Sequence, residues 1–295
     1  MKQKVILVTG ASSGIGYDTA IRLAKEGHKV YGAARRVERM TPLKDYGITP
    51  LPMDVTDLKD YGITPLPMDV TDEQSMSSAV ATLIEAEGRI DVLVNNAGYG
   101  MFGAIENVPI EEARRQLEVN VFGLARLTQL VLPHMREQHE GCIINLSSIA
   151  GRVVFYFGGW YHVSKYAVEA FSDALRMEVK PFGIHVVIIE PGAIKTNWGI
   201  IAADHLSSTS AGTVYEEAAA NEAHTLRTAY SMKLLPQPSV ISKAICRAVR
   251  ARNPRTRYRA GFGARTCLFL HGILPAKWWD ALVRRGGKRI FRPEE

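Results

Sequence analysis

Short apolar runs alternate with longer segments of mixed polarity along most of the chain. A short buried run is typical of a strand, and a longer segment with apolar residues every three or four positions is typical of a helix. The pattern predicts strands at 5–9, 29–33, 91–95, 142–146, 185–190 and 257–260, and helices at 15–26, 75–87, 111–135, 160–179 and 240–252. Strands that alternate with helices form parallel sheets covered by helices on both faces. We therefore predict an α/β fold with a doubly wound parallel sheet, in a single domain over residues 1–295.

One remaining strand is encoded twice. The sequence LKDYGITPLPMDVTD fills residues 43–57 and is repeated without change at residues 58–72. Because the sheet has one place for this strand, the two copies compete for it. We expect the second copy to form the strand, since it leads directly into the next helix. The other copy is then a long surface excursion within 43–72, and closing it costs only about 1 kcal/mol.

Residues 192–235 depart from the alternation of strands and helices. This segment begins after Pro191, is rich in Ala, Ser and Thr, and contains one stretch, 214–230, with a helical pattern. Long segments of this kind in compact domains commonly cover binding sites. We expect it to be a mobile substrate lid.

The C-terminal segment, 262–295, belongs to a strongly basic part of the chain. Residues 243–292 contain 14 Lys and Arg but a single acid, Asp280, which leaves 22 basic and 29 acidic residues elsewhere. Basic stretches that contain aromatics such as Trp278 and Trp279 can lie on anionic membranes or contact nucleic acid. We favour a solvated closing segment whose aromatics pack inward, with weak peripheral membrane contact as the alternative and no nucleic-acid partner.

Composition narrows the class of protein. Apolar residues make up 46% and charged residues 22%, which is ordinary for a soluble domain with a sizeable core. No apolar run is long enough to span a membrane. The first apolar run leads straight into a glycine turn, which indicates a strand rather than a signal peptide. The three cysteines, Cys142, Cys246 and Cys267, are scattered and lack metal-ligand spacing. We therefore expect a cytoplasmic protein with reduced thiols and no metal.

The first strand runs into TGASSGIG, residues 9–16, which opens the first helix. Glycines at such a turn let the backbone approach a pyrophosphate, whose charge then lies at the helix N-terminus. The strand–turn–helix context predicts a dinucleotide site. The residues predicted to form it are Gly10, Ser12, Ser13, Gly14, Ile15 and Gly16.

The end of the second strand predicts which dinucleotide is bound. A site that selects NAD normally carries an acid here for the ribose hydroxyls, but this chain has Arg35 and Arg36. Guanidinium groups suit a 2′-phosphate. We predict that NADP(H) is preferred over NAD, with Arg35 as the main contact and Ser13 as a helper; the alternative is that both arginines are ordinary surface charges.

Tyr161 and Lys165 are spaced Tyr-x-x-x-Lys within a predicted helix, and Ser148 lies thirteen residues before the tyrosine. Residues four apart lie on one helix face, so the phenol and the ammonium become neighbours. A nearby cation lowers a phenol's pKa from about 10. We therefore expect Lys165 to lower the pKa of Tyr161 and prepare it for acid/base chemistry; Ser147 is an alternative to Ser148.

Together these motifs resemble the short-chain dehydrogenase/reductase family of single-domain type, from about residue 2 to residue 259. The motifs that appear in family order are TGASSGIG, an Asp-Val pair at Asp54 or Asp69, Asn96-Ala97-Gly98, Asn120, Ser148, Tyr161 with Lys165, and Pro191-Gly192. The resemblance implies a Rossmann-type sheet. It also implies cofactor contacts from either aspartate, from Asn96, Ala97, Gly98, Pro191 and Gly192, and from Tyr161, Lys165, Ile194 and Thr196.

By the same resemblance, Tyr161 protonates a carbonyl oxygen as hydride arrives, and Ser148 donates to that oxygen. Lys165 binds the nicotinamide ribose, while Asn120 holds a water that supplies protons to Lys165. Asn120 could instead simply satisfy backbone groups.

These observations predict an NADP(H)-dependent oxidoreductase that interconverts a ketone or aldehyde and an alcohol. Aromatics before Tyr161, together with Trp198 at the start of the lid, favour an apolar, steroid-, retinoid- or lipid-like substrate. Those aromatics could equally be core or subunit contacts. The alternative is a cofactor-binding relative whose role is impaired or regulatory because of the duplication. Family analogy suggests a homodimer or homotetramer.

Overall fold

The computed structural model describes residues 2–35 and 61–289, with side chains as far as Arg284. Within these residues one parallel sheet has the strand order β3-β2-β1-β4-β5-β6-β7. The strands are β1 Val5–Thr9, β2 Lys29–Ala34, β3 Ile63–Pro67, β4 Val92–Asn95, β5 Gly141–Leu146, β6 Ile184–Pro191 and β7 Arg257–Ala260. The order reverses between β1 and β4, which creates a crevice at the carboxyl ends of these strands. The predicted doubly wound fold is confirmed.

Helices cover both faces of the sheet. They are α1 Gly14–Lys25, α2 Glu73–Glu87, α3 Ile110–Leu117, α4 Gly123–Glu137, α5 Gly159–Val179, α6 Trp198–Ser210, α7 Glu216–Ser231, α8 Ser239–Arg250, α9 Ala264–Ile273 and α10 Ala276–Arg289. Alternate residues of β1 point to opposite faces: Leu7 joins the core beneath α2 and α4, whereas Ile6 joins the core beneath α1 and α8. Two buried cores therefore hold the sheet from either side.

The third strand lies in the second copy of the repeat, as predicted. Residues of β3 pair in register with β2, for example Thr64 with Tyr31. Asp72 then caps the following helix, because its carboxylate accepts a hydrogen bond of 3.0 Å from the Ser75 amide. The helix consequently begins at Glu73, two residues earlier than predicted. The first copy, 43–57, lies outside the described residues.

The prediction of one regular helix over 111–135 was wrong. A π-helical turn, Glu118–Phe122, separates α3 from α4. The wider turn admits one extra residue, a local distortion that sequence periodicity does not reveal and that often marks functional sites. It contains Asn120, whose side chain is buried.

The lid and the C-terminal segment contain more helix than the apolar pattern predicted. The predicted stretch 214–230 corresponds to α7, but α6 precedes it, and α9 and α10 follow β7. Trp279 is buried, whereas Trp278 is 69% exposed. The expectation that the C-terminal aromatics pack inward therefore holds for only one of this pair.

Candidate active site

The turn after β1 has the backbone geometry of a phosphate-binding loop. Gly10 and Gly14 have φ angles of +64° and +56°, a region that side chains other than glycine rarely adopt. A Cβ atom on Gly16 would lie 2.4 Å from the Gly10 carbonyl oxygen, so the first turn of α1 packs directly on the loop. The turn leads into α1, whose N-terminus can receive a pyrophosphate.

Hydrogen bonds join this turn to the segment after β4. The Asn96 amide nitrogen Nδ2 donates to the carbonyl oxygens of Thr9 at 2.9 Å and Gly10 at 3.2 Å. The Thr9 hydroxyl accepts from the backbone amides of Asn96 and Ala97 at 3.0 and 2.9 Å. The structure thus brings the sequence-predicted glycine turn and Asn96-Ala97-Gly98 together around the crevice.

The residues predicted to face the adenosine end of the cofactor are only partly described. Arg35 directly follows β2 and is exposed, while Arg36 and Asp54 lie outside the described residues. Asp69 follows β3, and its Oδ1 accepts hydrogen bonds from the amide and hydroxyl of Thr71 at 2.9 and 2.8 Å. Of the two candidate aspartates, Asp69 is the one that the structure places next to β3.

The start of the lid lies against the glycine turn. Gly192 continues from β6 and donates a backbone hydrogen bond of 2.8 Å to Ala260. Ile194 is buried, and a Cβ atom on Gly14 would lie 3.9 Å from the Thr196 methyl group. The structure therefore places Thr196 opposite the glycine turn. This proximity is what we expect if Thr196 and the turn contact the same cofactor.

Ser148, Tyr161 and Lys165 come together at the carboxyl end of β5. Ser148 follows β5, and Tyr161 and Lys165 lie one turn apart on α5 with only 8% and 7% of their surfaces exposed. The Ser148 side chain acts on the Tyr161 phenol and lowers its pKa. Ser147 instead acts on Glu169. The structure thus places Ser148 rather than Ser147 at the phenol.

The pKa of Tyr161 differs from the sequence-based expectation. Burial raises the pKa of Tyr161 to about 12, and Ser148 only partly opposes this. Lys165 does not lower it, because the Lys165 ammonium donates to the Leu146 carbonyl oxygen at 2.8 Å and lies 5.9 Å from the centre of the phenol ring. Desolvation therefore sets the direction in which the pKa of the phenol is shifted.

Burial also weakens the charge of Lys165 itself. It lowers the pKa of Lys165 to about 8, although the carboxylate of Glu169, one turn further along α5, acts in the opposite direction. The Lys165 side chain is consequently near the midpoint of its titration just above neutral pH. Such values are common in groups that exchange protons during catalysis.

Asn120 is held firmly beside this set. Its Oδ1 accepts from the Tyr99 amide at 3.0 Å, and its Nδ2 donates to the Tyr99 carbonyl oxygen at 2.9 Å and to the Ser164 hydroxyl at 3.0 Å. A Cβ atom on Gly98 would lie 3.0 Å from Asn120 Oδ1 and 3.7 Å from Lys165 Nζ. Asn120 therefore satisfies backbone groups, as the alternative interpretation held, and also lies next to Lys165.

Aromatic side chains enclose the phenol. The ring of Trp198, at the start of α6, lies 5.0 Å from the Tyr161 ring, 5.7 Å from Tyr230 and 5.6 Å from Phe102. The indole covers Gly100, where a Cβ atom would be only 2.2 Å from it. Sequence analysis identified Trp198 from its position near the start of the lid, but no sequence motif indicated Phe102 or Tyr230.

His162 was also missed by sequence reasoning. Its Nδ1 lies 3.0 Å from the Ala150 carbonyl oxygen, and its Nε2 accepts a 3.0 Å hydrogen bond from the Phe155 amide. Because Nε2 must accept, Nδ1 carries the proton and the ring is neutral. Burial lowers the pKa of His162, which favours this form. His162 thereby fixes the segment that follows Ser148 against α5.

Comparison with known proteins agrees with this arrangement. A sequence model of the family described as short chain dehydrogenase matches residues 4–204. A probable short-chain type dehydrogenase/reductase of Helicobacter pylori is 36% identical over 94% of this chain and 96% of the relative. A 3-ketodihydrosphingosine reductase of Bacteroides thetaiotaomicron is 35% identical over 88% of this chain and 89% of the relative.

A solved structure supports the same assignment. The crystal structure of a short-chain dehydrogenase from Streptomyces avermitilis has 33% sequence identity to this chain and a TM-score of 0.75, and the match covers 97% of each chain. The family match, the relatives and the fold all agree, and the chain belongs to the short-chain dehydrogenase/reductase family of oxidoreductases.

Proposed function

We propose that this protein is an NADP(H)-dependent oxidoreductase that interconverts a ketone or aldehyde and an alcohol. The observation that carries the proposal is the meeting of Ser148, Tyr161 and Lys165 at the carboxyl edge of the sheet, beside the glycine turn. A hydroxyl donor, a proton donor and a cation at one buried place are the groups that carbonyl reduction needs.

When bound, the nicotinamide would supply a hydride to the carbonyl carbon, which would leave negative charge on the carbonyl oxygen. Tyr161 transfers its proton to that oxygen, and the Ser148 hydroxyl donates a hydrogen bond to it. With its pKa raised to about 12, the Tyr161 phenol holds its proton at neutral pH. A protonated Tyr161 is the form that reduction would use. Lys165 would bind the nicotinamide ribose and replenish the proton of Tyr161, with Asn120 holding a water on that route.

Arg35 and Ser13 support a preference for NADPH over NADH. Arg35 is exposed where β2 ends, and a guanidinium there suits a 2′-phosphate. Ser13 is the N-cap residue of α1, yet its side chain makes no capping hydrogen bond. Its hydroxyl is therefore available to a phosphate oxygen. Asp69 completes the adenosine side, with Arg36 and Asp54 as further sequence-based candidates.

The lining of the site favours an apolar substrate. Phe102 and Trp198 pack against the phenol ring, Tyr230 packs against Trp198, and Phe157 lies in the same apolar cluster. The Bacteroides relative is named for a reaction on 3-ketodihydrosphingosine, which agrees with a lipid-like ketone. A steroid or retinoid is an alternative of similar character.

We further propose that the protein forms a homodimer or homotetramer in the cytoplasm. Phe122 and Met177 are 58% and 68% exposed in the single chain, and apolar side chains of this kind commonly become buried between subunits. The cysteines that the structure describes are unpaired, as expected in a reducing compartment.

The test is a titration of the protein with NADPH and with NADH, followed by energy transfer from tryptophan to the bound nicotinamide. We expect tighter binding of NADPH, and then oxidation of NADPH when apolar ketones are added. Binding of neither cofactor would contradict the proposal. Tight binding without turnover of any ketone in the screen would favour the second candidate, a cofactor-binding protein with an impaired or regulatory role.

A further inference from the structure

The two C-terminal helices, α9 and α10, each have an inner face that packs on the body of the protein. Ala264 and Trp279 are buried together with Ile149 and Val153. The Trp279 indole also donates a hydrogen bond of 3.1 Å to the Val154 carbonyl oxygen. These contacts attach both helices to the segment that joins Ser148 to α5.

The outer faces of the same helices carry large apolar side chains. Phe269 and Ile273 lie four residues apart on α9 and are 67% and 60% exposed. Trp278 and Leu282 lie four residues apart on α10 and are 69% and 48% exposed. Because residues four apart share a helix face, each helix presents an apolar pair away from the core. Nothing in the described part of the chain covers these four side chains.

Basic residues, and one acid at Asp280, are exposed on the same two helices. Arg265, Lys277 and Arg284 are exposed on α9 and α10. Arg265 also lines a cavity of about 510 Å³ between α8 and β7, together with Arg247 and Arg255. Within the described ranges, none of these five residues has a carboxylate partner, whereas Arg257 and Arg259 in the same cavity are paired with buried glutamates.

We propose that this C-terminal surface docks on an anionic lipid membrane. We define the surface by its exposed residues: Arg265, Phe269, Ile273, Lys277, Trp278, Leu282 and Arg284. Tryptophan and phenylalanine insert at the boundary between head groups and acyl chains, while arginine and lysine contact lipid phosphates. The positive charge favours an anionic membrane over an apolar protein surface, because only the membrane offers negative groups for these residues to contact.

The surface suits attachment to a membrane rather than a span across it. No helix among residues 2–35 and 61–289 is long and apolar enough to cross a bilayer. The apolar residues instead occupy one side of two short helices, as in proteins that lie at the interface.

Docking would place lipid against α10, whose inner face lies near the active site. The Trp279 ring lies 6.1 Å from Phe155, and Phe155 lies 5.7 Å from His162, the neighbour of Tyr161. A lipid-like ketone could then enter from the membrane without crossing water. This second role depends on the proposed function, but membrane binding itself does not.

The direct test is sedimentation of the full-length protein with phosphatidylcholine vesicles that contain or lack 30% phosphatidylglycerol (about that fraction is usual for an anionic vesicle). We expect binding to the anionic vesicles that weakens as salt rises. The double variant Phe269→Gln/Trp278→Gln and the double variant Arg265→Glu/Lys277→Glu should each lower the partition coefficient by about tenfold or more.

Matched controls separate docking from general effects of polarity and charge. Ile110→Gln changes a helical side chain that is 52% exposed, close to the 48% of Leu282, and Arg136→Glu reverses an exposed charge on α4. Both controls should bind as the unchanged protein does. All variants should also retain NADPH binding and turnover of a small water-soluble ketone, so that failure of docking is distinguishable from failure of the enzyme.

Depth is measured by quenching of tryptophan fluorescence with lipids brominated on their acyl chains. Quenching that is lost in Trp278→Phe would support insertion at this residue. Absence of binding to anionic vesicles, or binding that the apolar variants do not change, would overturn the proposal. So would a concentration-dependent oligomer that disappears in Phe269→Gln/Trp278→Gln, since the surface would then be a contact between copies of this chain.

Discussion

At the scale of single residues, the candidate site shows how burial competes with a neighbouring charge. The motif Tyr-x-x-x-Lys correctly placed Tyr161 and Lys165 on one face of a helix. It could not give the pKa of the phenol, because that depends on desolvation by residues such as Trp198 that come from distant parts of the chain. Spacing therefore predicted the partners, and packing decided their protonation.

Replacement of Tyr161 by Phe tests the acid/base role. Phenylalanine keeps the ring that packs against Trp198 but removes the proton that reduction requires. We expect kcat to fall by about 100-fold to 10,000-fold, with NADPH affinity unchanged within about threefold. Steady-state kinetics and fluorescence titration measure the two quantities.

The matched control is Tyr166→Phe, on the same helix but 40% exposed, which should retain full activity. A Tyr161→Phe enzyme with normal turnover would show that another group protonates the substrate.

Lys165 should leave a signature in the pH dependence of stability. Below pH 8 it is charged in the folded and unfolded protein, and the folded state bears the cost of burying that charge. Its folded pKa is about 8 and its ordinary value is 10.5, so between these values the folded protein releases a proton that the unfolded chain keeps. The free energy of unfolding of the unchanged protein should therefore rise relative to Lys165→Met by up to about 3 kcal/mol across this window.

Urea denaturation of both proteins at pH 7, 9 and 10.5 measures this difference. The exposed Lys180 provides the control, since Lys180→Met should show no comparable change. A difference between Lys165→Met and the unchanged protein that stays constant from pH 7 to 10.5 would mean that burial does not perturb Lys165.

Arg35 governs cofactor preference if the proposal is correct. Arg35→Asp replaces the cation with an acid, which repels a 2′-phosphate and can accept from the ribose hydroxyls of NADH. Hydrogen bonds to charged groups contribute about 1.5–3 kcal/mol, so NADPH affinity should fall about 10-fold to 100-fold while NADH affinity rises. Paired titrations with the two cofactors measure this, and Arg136→Asp should change neither. Retained preference for NADPH would remove Arg35 from the site.

At the scale of elements, the sequence predicted those parts whose local signals agree with the tertiary fold. The glycine turn, α1 and α5 carry strong signals of this kind, and the bounds of the two helices differ from prediction by no more than one residue. The π-helical turn and α6 carry no such signal. The first contains the buried Asn120, and α6 is made of residues whose apolar side chains do not follow a clear helical stripe.

Removal of one copy of the repeat should leave the fold intact. Deleting 43–57 or 58–72 produces the same chain, because the copies are identical. That chain retains the residues that form β3, the Asp69 turn and the Asp72 cap. We expect an unchanged NADPH affinity. The free energy of unfolding should equal that of the full chain or be higher by about 1 kcal/mol, because closing a shorter connection costs less conformational entropy.

Thermal denaturation and cofactor titration check this prediction. A deletion variant that fails to bind NADPH, or that melts far below the full chain, would show that both copies are needed. Limited proteolysis gives an independent check, because we expect cleavage within 43–57 rather than within 58–72. Cleavage confined to 58–72 would contradict the use of the second copy for β3.

At the scale of the whole molecule, the strand order decides which residues can meet. The crevice between β1 and β4 brings the glycine turn, Asn96 and the β5 end to one edge of the sheet. Alternation of strands and helices predicted this doubly wound arrangement, because few topologies satisfy it. It did not predict how α9 and α10 attach beside Ser148, since their inner contacts join segments far apart in the chain.

The position of β3 at the edge of the sheet has a genetic consequence. A damaging change in this strand, such as Leu66→Asp, leaves an undamaged duplicate of the same residue at Leu51. An outer strand pairs with one neighbour only, so the duplicate needs only to replace the damaged copy beside β2. The full chain should therefore tolerate Leu66→Asp better than the deletion variant does. Mutations can accumulate in either copy while the other preserves the sheet, which leaves this part of the gene free to diverge.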